Sequence, residues 1–111
     1  VTFTFFPVNH PPVYTCGLLI EHDGVTVAYT ADTREDIPKA SRDLLRGTGI
    51  DLLFVDAIAP EGYNISKHMN YTEAVRFARD VGARDYRCVH MSHLVPPGMP
   101  HAGYDMETFC W

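Results

Sequence analysis

Cys16-Gly17-Leu18-Leu19-Ile20-Glu21-His22-Asp23-Gly24-Val25-Thr26-Val27-Ala28-Tyr29-Thr30-Ala31-Asp32-Thr33 is the stretch whose reading decides the fold. Two strand-forming runs, 16–21 and 25–30, flank His22-Asp23-Gly24. The Asp-Gly pair readily supplies the left-handed backbone of a tight hairpin turn. Asp32 then stands just where the chain leaves the second strand. A carboxylate at a strand exit is both a common turn former and a candidate functional group.

Upstream, Phe3 to Val8 reads as a strand, stopped by Asn9-His10-Pro11-Pro12 because proline lacks an N–H and restricts the residue before it. The aromatic residues Phe3, Phe5 and Phe6 are expected to serve packing. Downstream, Asp36-Ile37-Pro38 predicts the start of a helix with proline near its first turn. Ala40, Leu44 and Leu45 form its apolar face, and Gly47 and Gly49 its end. Leu52 to Val55 reads as a buried strand with Asp56 at its exit. A loop over 57–69 carries His68. Asn70 and Glu73 have capping-box spacing, followed by the stripe Ala74, Phe77, Ala78 and Val81 and closed by Gly82. Tyr86 to Val89 is a short strand with His90 at its end, and Met106 to Trp111 predicts a final strand. The pattern is one α/β unit over 1–111, with sheet order open.

At 111 residues the chain supports one core, with roughly two thirds of its unfolded surface buried at this size. Nine Lys and Arg against fourteen Asp and Glu, a net charge of -5, weigh against a broad nucleic-acid footprint, which needs a basic face. A small anionic substrate held through metal stays open. Cys16, Cys88 and Cys110 are odd in number and lie in apolar runs, so reduced, buried thiols and a cytoplasmic protein are expected. No run has the length of a membrane span, and no basic-then-apolar leader is present.

The chemistry lies in a positional pattern. His10, Asp32, Asp56 and His90 each follow a predicted strand, and His68 precedes a helix. In open α/β sheets such loops are where ligands bind. Each residue alone has an ordinary structural explanation. Together, imidazoles and carboxylates in equivalent positions form a ligand set suited to zinc and related metals.

The ordered set Val8-Asn9-His10, Gly17-Leu18-Leu19-Ile20-Glu21, Val27-Ala28-Tyr29-Thr30-Ala31-Asp32-Thr33, Asp51-Leu52-Leu53-Phe54-Val55-Asp56, Lys67-His68 and Val89-His90-Met91-Ser92-His93 resembles the C-terminal half of metallo-β-lactamase-fold hydrolases. The His68 loop and the His-x-Ser-His ending look most like the branch holding transfer-RNA 3′-processing endonucleases and the phosphodiesterase of phosphonate degradation. The resemblance implies half of an αββα sandwich: a mixed sheet with helices on one face. It implies His10 on a first metal, His90 on a second, and Asp32 bridging both. His68 would be the general acid or a phosphate contact. The cofactor would be a divalent metal, zinc foremost with manganese or iron as alternatives, two ions in the complete protein. The reaction implied is hydrolysis of a small-molecule phosphodiester.

Two departures accompany the resemblance. Ala31 stands where the family usually has glycine. The family's N-terminal signature, His-x-His-x-Asp-His, which supplies most of the metal ligands, is not among these residues, and the chain opens at Val1 already in a strand. The expectation is a C-terminal half completed by an N-terminal one. Asp56 is read as orienting His68 or a ligand histidine, with a loop-capping role as the alternative. His93 and His101 are substrate-contact candidates set against ordinary exposed loop histidines, and His22 is assigned no role. Thioester or lactam hydrolysis remains a rival reaction, because a fold does not select its chemistry. A non-catalytic half-domain that self-associates through a sheet edge is the rival class.

Overall fold

The computed structural model describes residues 1–111. Five strands form one sheet in the order β1-β2-β3-β4-β5: β1 Thr2–Pro7, β2 Cys16–His22, β3 Val25–Tyr29, β4 Leu52–Asp56 and β5 Asp85–Val89. The first three are antiparallel neighbours, whereas β3 with β4 and β4 with β5 are parallel. Parallel neighbours need crossover connections. Helix α1, Lys39–Thr48, bridges β3 to β4, and α2, Tyr71–Asp80, bridges β4 to β5.

The β2–β3 hairpin turns at Asp23 and Gly24, both at positive φ (49° and 76°), as the Asp-Gly pair requires. Register then fixes the faces. Leu19 pairs with Ala28, and Ala28 with Leu53; all three are buried in the core with Phe6, Val55 and Cys88. Leu45 of α1 and Ala74, Phe77 and Ala78 of α2 complete that core. Each fully buried large side chain contributes about 1.5–3 kcal/mol by leaving water. Arg46 and Arg42 of α1 both pair with Asp80 of α2, and Arg42 lies over the Phe77 ring. The two helices are therefore neighbours on one face of the sheet.

Asn70 caps α2 by accepting from the Glu73 N–H at 2.9 Å, while Glu73 accepts from the Asn70 N–H at 3.0 Å. This reciprocal pair satisfies two donors that the first turn would otherwise leave free. Gly82, at φ 73°, follows the helix end as expected.

Several expectations are corrected. Helix α1 starts at Lys39, and Pro38 is its cap with ψ 143°, because proline disfavours helical backbone at Ile37 before it. Ala40 is exposed, and Ser41 joins Leu45 on the buried side, its hydroxyl donating to the Pro7 carbonyl at 2.6 Å. Gly47 lies inside the helix and Gly49 caps it.

Residues 106–111 form no strand. The edge of β5 is taken instead by the segment before them, where Cys88 N–H donates to His101 O and Gly103 N–H donates to Cys88 O. The tail then crosses the sheet, Phe109 meeting Phe54 edge-on at 5.8 Å. Of the thiols, Cys88 is buried, Cys16 half-buried and Cys110 exposed, and all three are free. Burial pushes the Cys88 thiol up to about 11. Phe6 is buried, whereas Phe3 and Phe5 are exposed on the side away from the helices. No helix is long and apolar enough to cross a membrane.

Candidate metal centre

The carboxyl ends of β3, β4 and β5 and the end of β1 deliver side chains to one place. Asp32, Asp56, His68 and His90 each offer a ligand-type atom, and those atoms lie within 4.8 Å of one another. The His10 ring packs on His68 with centroids 5.0 Å apart, and His90 lies 5.0 Å from His68 on another side. All five strand-exit and loop residues singled out in the sequence therefore converge. His93 is exposed on the loop after His90, and His101 stacks on Tyr86 at 4.1 Å, held by the far edge of β5.

Asp56 is the buried anchor, 1 % exposed. One carboxylate oxygen, Oδ2, accepts the Thr33 N–H at 2.9 Å and faces His68 Nδ1 at 2.8 Å. The other, Oδ1, lies 3.3 Å from His90 Nδ1, which is also 3.3 Å from Asp32 Oδ1. Burial raises the Asp56 carboxyl from its ordinary value. The Thr33 N–H and the two imidazoles act in the opposite direction by hydrogen-bonding the charged form. Thr30 supports the strand end through its hydroxyl, which accepts the Asp56 N–H at 3.0 Å.

The backbone here is unusual. Ala31 and His90 both have positive φ, 57° and 58°, a left-handed conformation that residues with a Cβ rarely adopt. Strain of this kind gathers where neighbouring structure dictates a side chain's aim. The Ala31 turn directs Asp32, and the His90 turn directs its own ring, toward the same point.

The donor set fits a divalent cation. Two carboxylates and neighbouring imidazoles converge within ligand-sharing distance, and such oxygen and nitrogen donors suit zinc, manganese and iron. The tight group differs from the set the resemblance implied: Asp56 and His68 lie inside it, while His10 borders it through its ring. Sequence spacing could not reveal this, because the loop over 57–69 must fold back before His68 meets Asp56.

Two hollows flank the cluster. One of about 630 Å³ reaches His68 and is lined mostly by polar groups, Arg34, Arg42, Ser66 and Glu73 among them. The other, about 390 Å³, reaches His90 and is lined largely by apolar side chains, including Phe54, Val89 and Phe109.

Comparisons with known proteins agree with this fold. The family model described as "Beta-lactamase superfamily domain" matches residues 1–91. No curated protein sequence matches the chain. Among solved structures, the metallo-beta-lactamase fold protein YhfI from Bacillus subtilis is 28% identical with a TM-score of 0.71, over 85% of this chain and 38% of that one. A diphosphatase from the PhnP family is 30% identical with a TM-score of 0.69, over 85% of this chain and 34% of that one. Human tRNase Z, short form (ELAC1), shares the fold at 18% identity and a TM-score of 0.70, over 82% of this chain and 36% of that one. The chain thus spans between a third and two fifths of the length of these structures. Its mixed sheet with both helices on one face is the half-sandwich the resemblance implied, and the chain belongs to the beta-lactamase superfamily domain family.

Proposed function

We propose that the chain is the C-terminal, metal-binding part of a hydrolase that cleaves phosphodiesters with a binuclear metal centre. The observation that carries this reading is the convergence of Asp32, Asp56, His68 and His90, with His10 against them. His10, Asp32 and His90 are the proposed ligands, Asp32 the bridge. Divalent metal held by these residues would supply activated water and charge neutralisation at the phosphoryl group. The other donors would come from the remainder of a longer protein, consistent with the share of the solved structures that this chain spans.

The roles of the chain's own residues follow from geometry. With Asp56 facing its Nδ1, His68 keeps that nitrogen protonated and leaves Nε2 for substrate. A protonated His68 donates to the departing alkoxide through Nε2. Asp56 is its positioning partner. The polar hollow at His68, where Arg34 and Arg42 stand beside Glu35, Asp36 and Glu73, supports a polar ester over an apolar thioester. Zinc is the first choice of metal and manganese or iron the alternatives. His93, exposed after His90, is proposed as a phosphate contact reached on substrate binding, in a cytoplasmic enzyme.

The face of the sheet away from the helices carries a second proposal. Phe5 pairs in register with Leu18, Leu18 with Tyr29, and Tyr29 with Phe54, placing them on that face, where Phe3, Phe5 and Tyr29 are exposed. Apolar side chains so arranged are suited to covering by another layer. We propose the second sheet of the longer protein as that layer. In its absence, a second copy of this chain would take the place.

The test is hydrolysis of bis(4-nitrophenyl) phosphate by the longer protein loaded with zinc or manganese, alongside a thioester and a β-lactam. The phosphodiester is the expected substrate, with His68→Ala lowering kcat about 100-fold or more. A fully active His68→Ala enzyme, or preference for thioester or lactam, contradicts the reading.

A further inference from the structure

We propose that Thr33 is a positioning residue that locks the His10 loop, the Asp32 turn and Asp56 into one unit. Its backbone N–H donates to Asp56 Oδ2 at 2.9 Å, the same oxygen that faces His68. Its hydroxyl accepts the Asn9 N–H at 2.9 Å and donates to the Arg34 carbonyl at 2.8 Å. The Arg34 N–H returns to the Asn9 carbonyl at 2.8 Å. Asn9 is thus held through both its N–H and its C=O, immediately before His10. Thr33 itself is completely buried.

Strand pairing does not do this work. Strands β1 and β3 are separated by β2 and never pair directly, so the ladder relates His10 to Asp32 only through β2 and stops short of both residues. Residue 10 follows the last paired residue of β1, Pro7, and Asp32 follows the last residue of β3. The Val8–Thr15 bond and the His10–Val13 bridge tie the His10 loop to the segment before β2, but neither reaches Asp32. The Thr33 hydroxyl crosses that gap at its buried side, with the Arg34 N–H and the Asn9 side-chain bonds to Asp36 crossing it further out, and the Thr33 N–H carries the constraint to Asp56 and so to His68. A buried hydroxyl with both its donor and its acceptor used is rigid. Partners of this kind, which orient ligand side chains, govern metal affinity without touching the ion.

The inference rests on the metal-centre reading for its functional consequence, yet its geometry is tested without metal. In the 111-residue chain, the Asn9 amide is expected to exchange at least about 100-fold more slowly than in an unstructured peptide. A cross-relaxation signal is expected between the His10 and His68 ring protons. Thr33→Val removes the hydroxyl and retains the shape. It should speed Asn9 exchange at least about tenfold and weaken the ring signal, and Thr33→Ser should restore both.

With Zn²⁺ as probe, Thr33→Val should bind about 10–100-fold more weakly and Thr33→Ser like the parent. An unprotected Asn9 amide in the parent overturns the proposal, and that measurement stands even where Thr33→Val fails to fold. So does a Thr33→Val chain with the ring signal intact, or a Thr33→Ser chain that loses it. A parent chain that takes up no Zn²⁺ contradicts the metal-centre reading, while the exchange and ring measurements still decide the role of Thr33.

Discussion

His68 Nδ1 sits 2.8 Å from Asp56 Oδ2, joining a loop residue to the buried end of β4 across twelve positions of sequence. The carboxylate is fully buried, so its partners matter more than they would at the surface. This pairing decides which nitrogen of His68 is presented outward.

Asp56→Asn tests it. The amide keeps the shape but accepts through only one atom, and Thr33 N–H, His68 and His90 then compete for it. Nitrogen chemical shifts should report loss of the single His68 tautomer, and Zn²⁺ affinity should fall about 10–100-fold. An unchanged tautomer would remove Asp56 from the positioning role.

Ala31 adopts φ 57°, where a Cβ is unfavourable. Ala31→Gly relieves roughly 1–2 kcal/mol of that cost and restores about 0.5–1 kcal/mol of unfolded-state freedom against it. The net expectation is stabilisation by up to about 1.5 kcal/mol, read from a higher urea midpoint with an unchanged slope. A lower midpoint would mean that the alanine methyl makes contacts that outweigh the strain.

Gly17 tests the opposite case. A Cβ there would stand 2.4 Å from the Phe6 ring and 2.7 Å from the Tyr29 carbonyl oxygen. The ring has little room in a closed core, and the carbonyl belongs to the sheet. Gly17→Ala should destabilise by about 1–3 kcal/mol in urea unfolding. A neutral result would show that β1 and β2 are less tightly joined than their register indicates.

Asp80 links the two helices. Hydrogen bonds from Arg46 and then Arg42 hold its carboxyl below the usual aspartate value. A carboxyl depressed in the folded state binds protons less readily than in the unfolded one. Its stabilisation is therefore present above the ordinary pKa of ~3.9 and is lost as pH falls through the lower folded value. The effect is modest because the pair is partly solvated. Asp80→Asn should lower stability near neutral pH and narrow its gap from the parent as the pH falls below that range. A gap constant with pH would assign the loss to packing.

The fold was legible wherever local chemistry and pattern agreed. Asp23-Gly24 named its hairpin, and Asn70 with Glu73 named the start of α2, because both signals depend on backbone geometry within a few residues. Pro38 misled by one turn, since the same residue that suits a helix start also forbids helical backbone before it. The tail misled further: Phe109 and Trp111 alternate like a strand, but the β5 edge was already taken by 101–103. For the site, strand exits marked His10, Asp32, Asp56 and His90. Asp56 was read as orienting His68 or a ligand histidine without a choice between them, and the Thr33–Asn9 clasp was not visible, since both depend on how loops cross in space.

The central claim is that these strand ends hold a divalent metal. Calorimetric titration of Zn²⁺ into the 111-residue chain, with His90→Ala and Asp32→Ala beside it, tests that claim most directly. One ion is expected to bind the parent, as an open site that this chain's donors can form alone, with affinity at least about tenfold weaker in either variant. A parent chain that binds no Zn²⁺, or variants that bind it as tightly as the parent, would contradict the account.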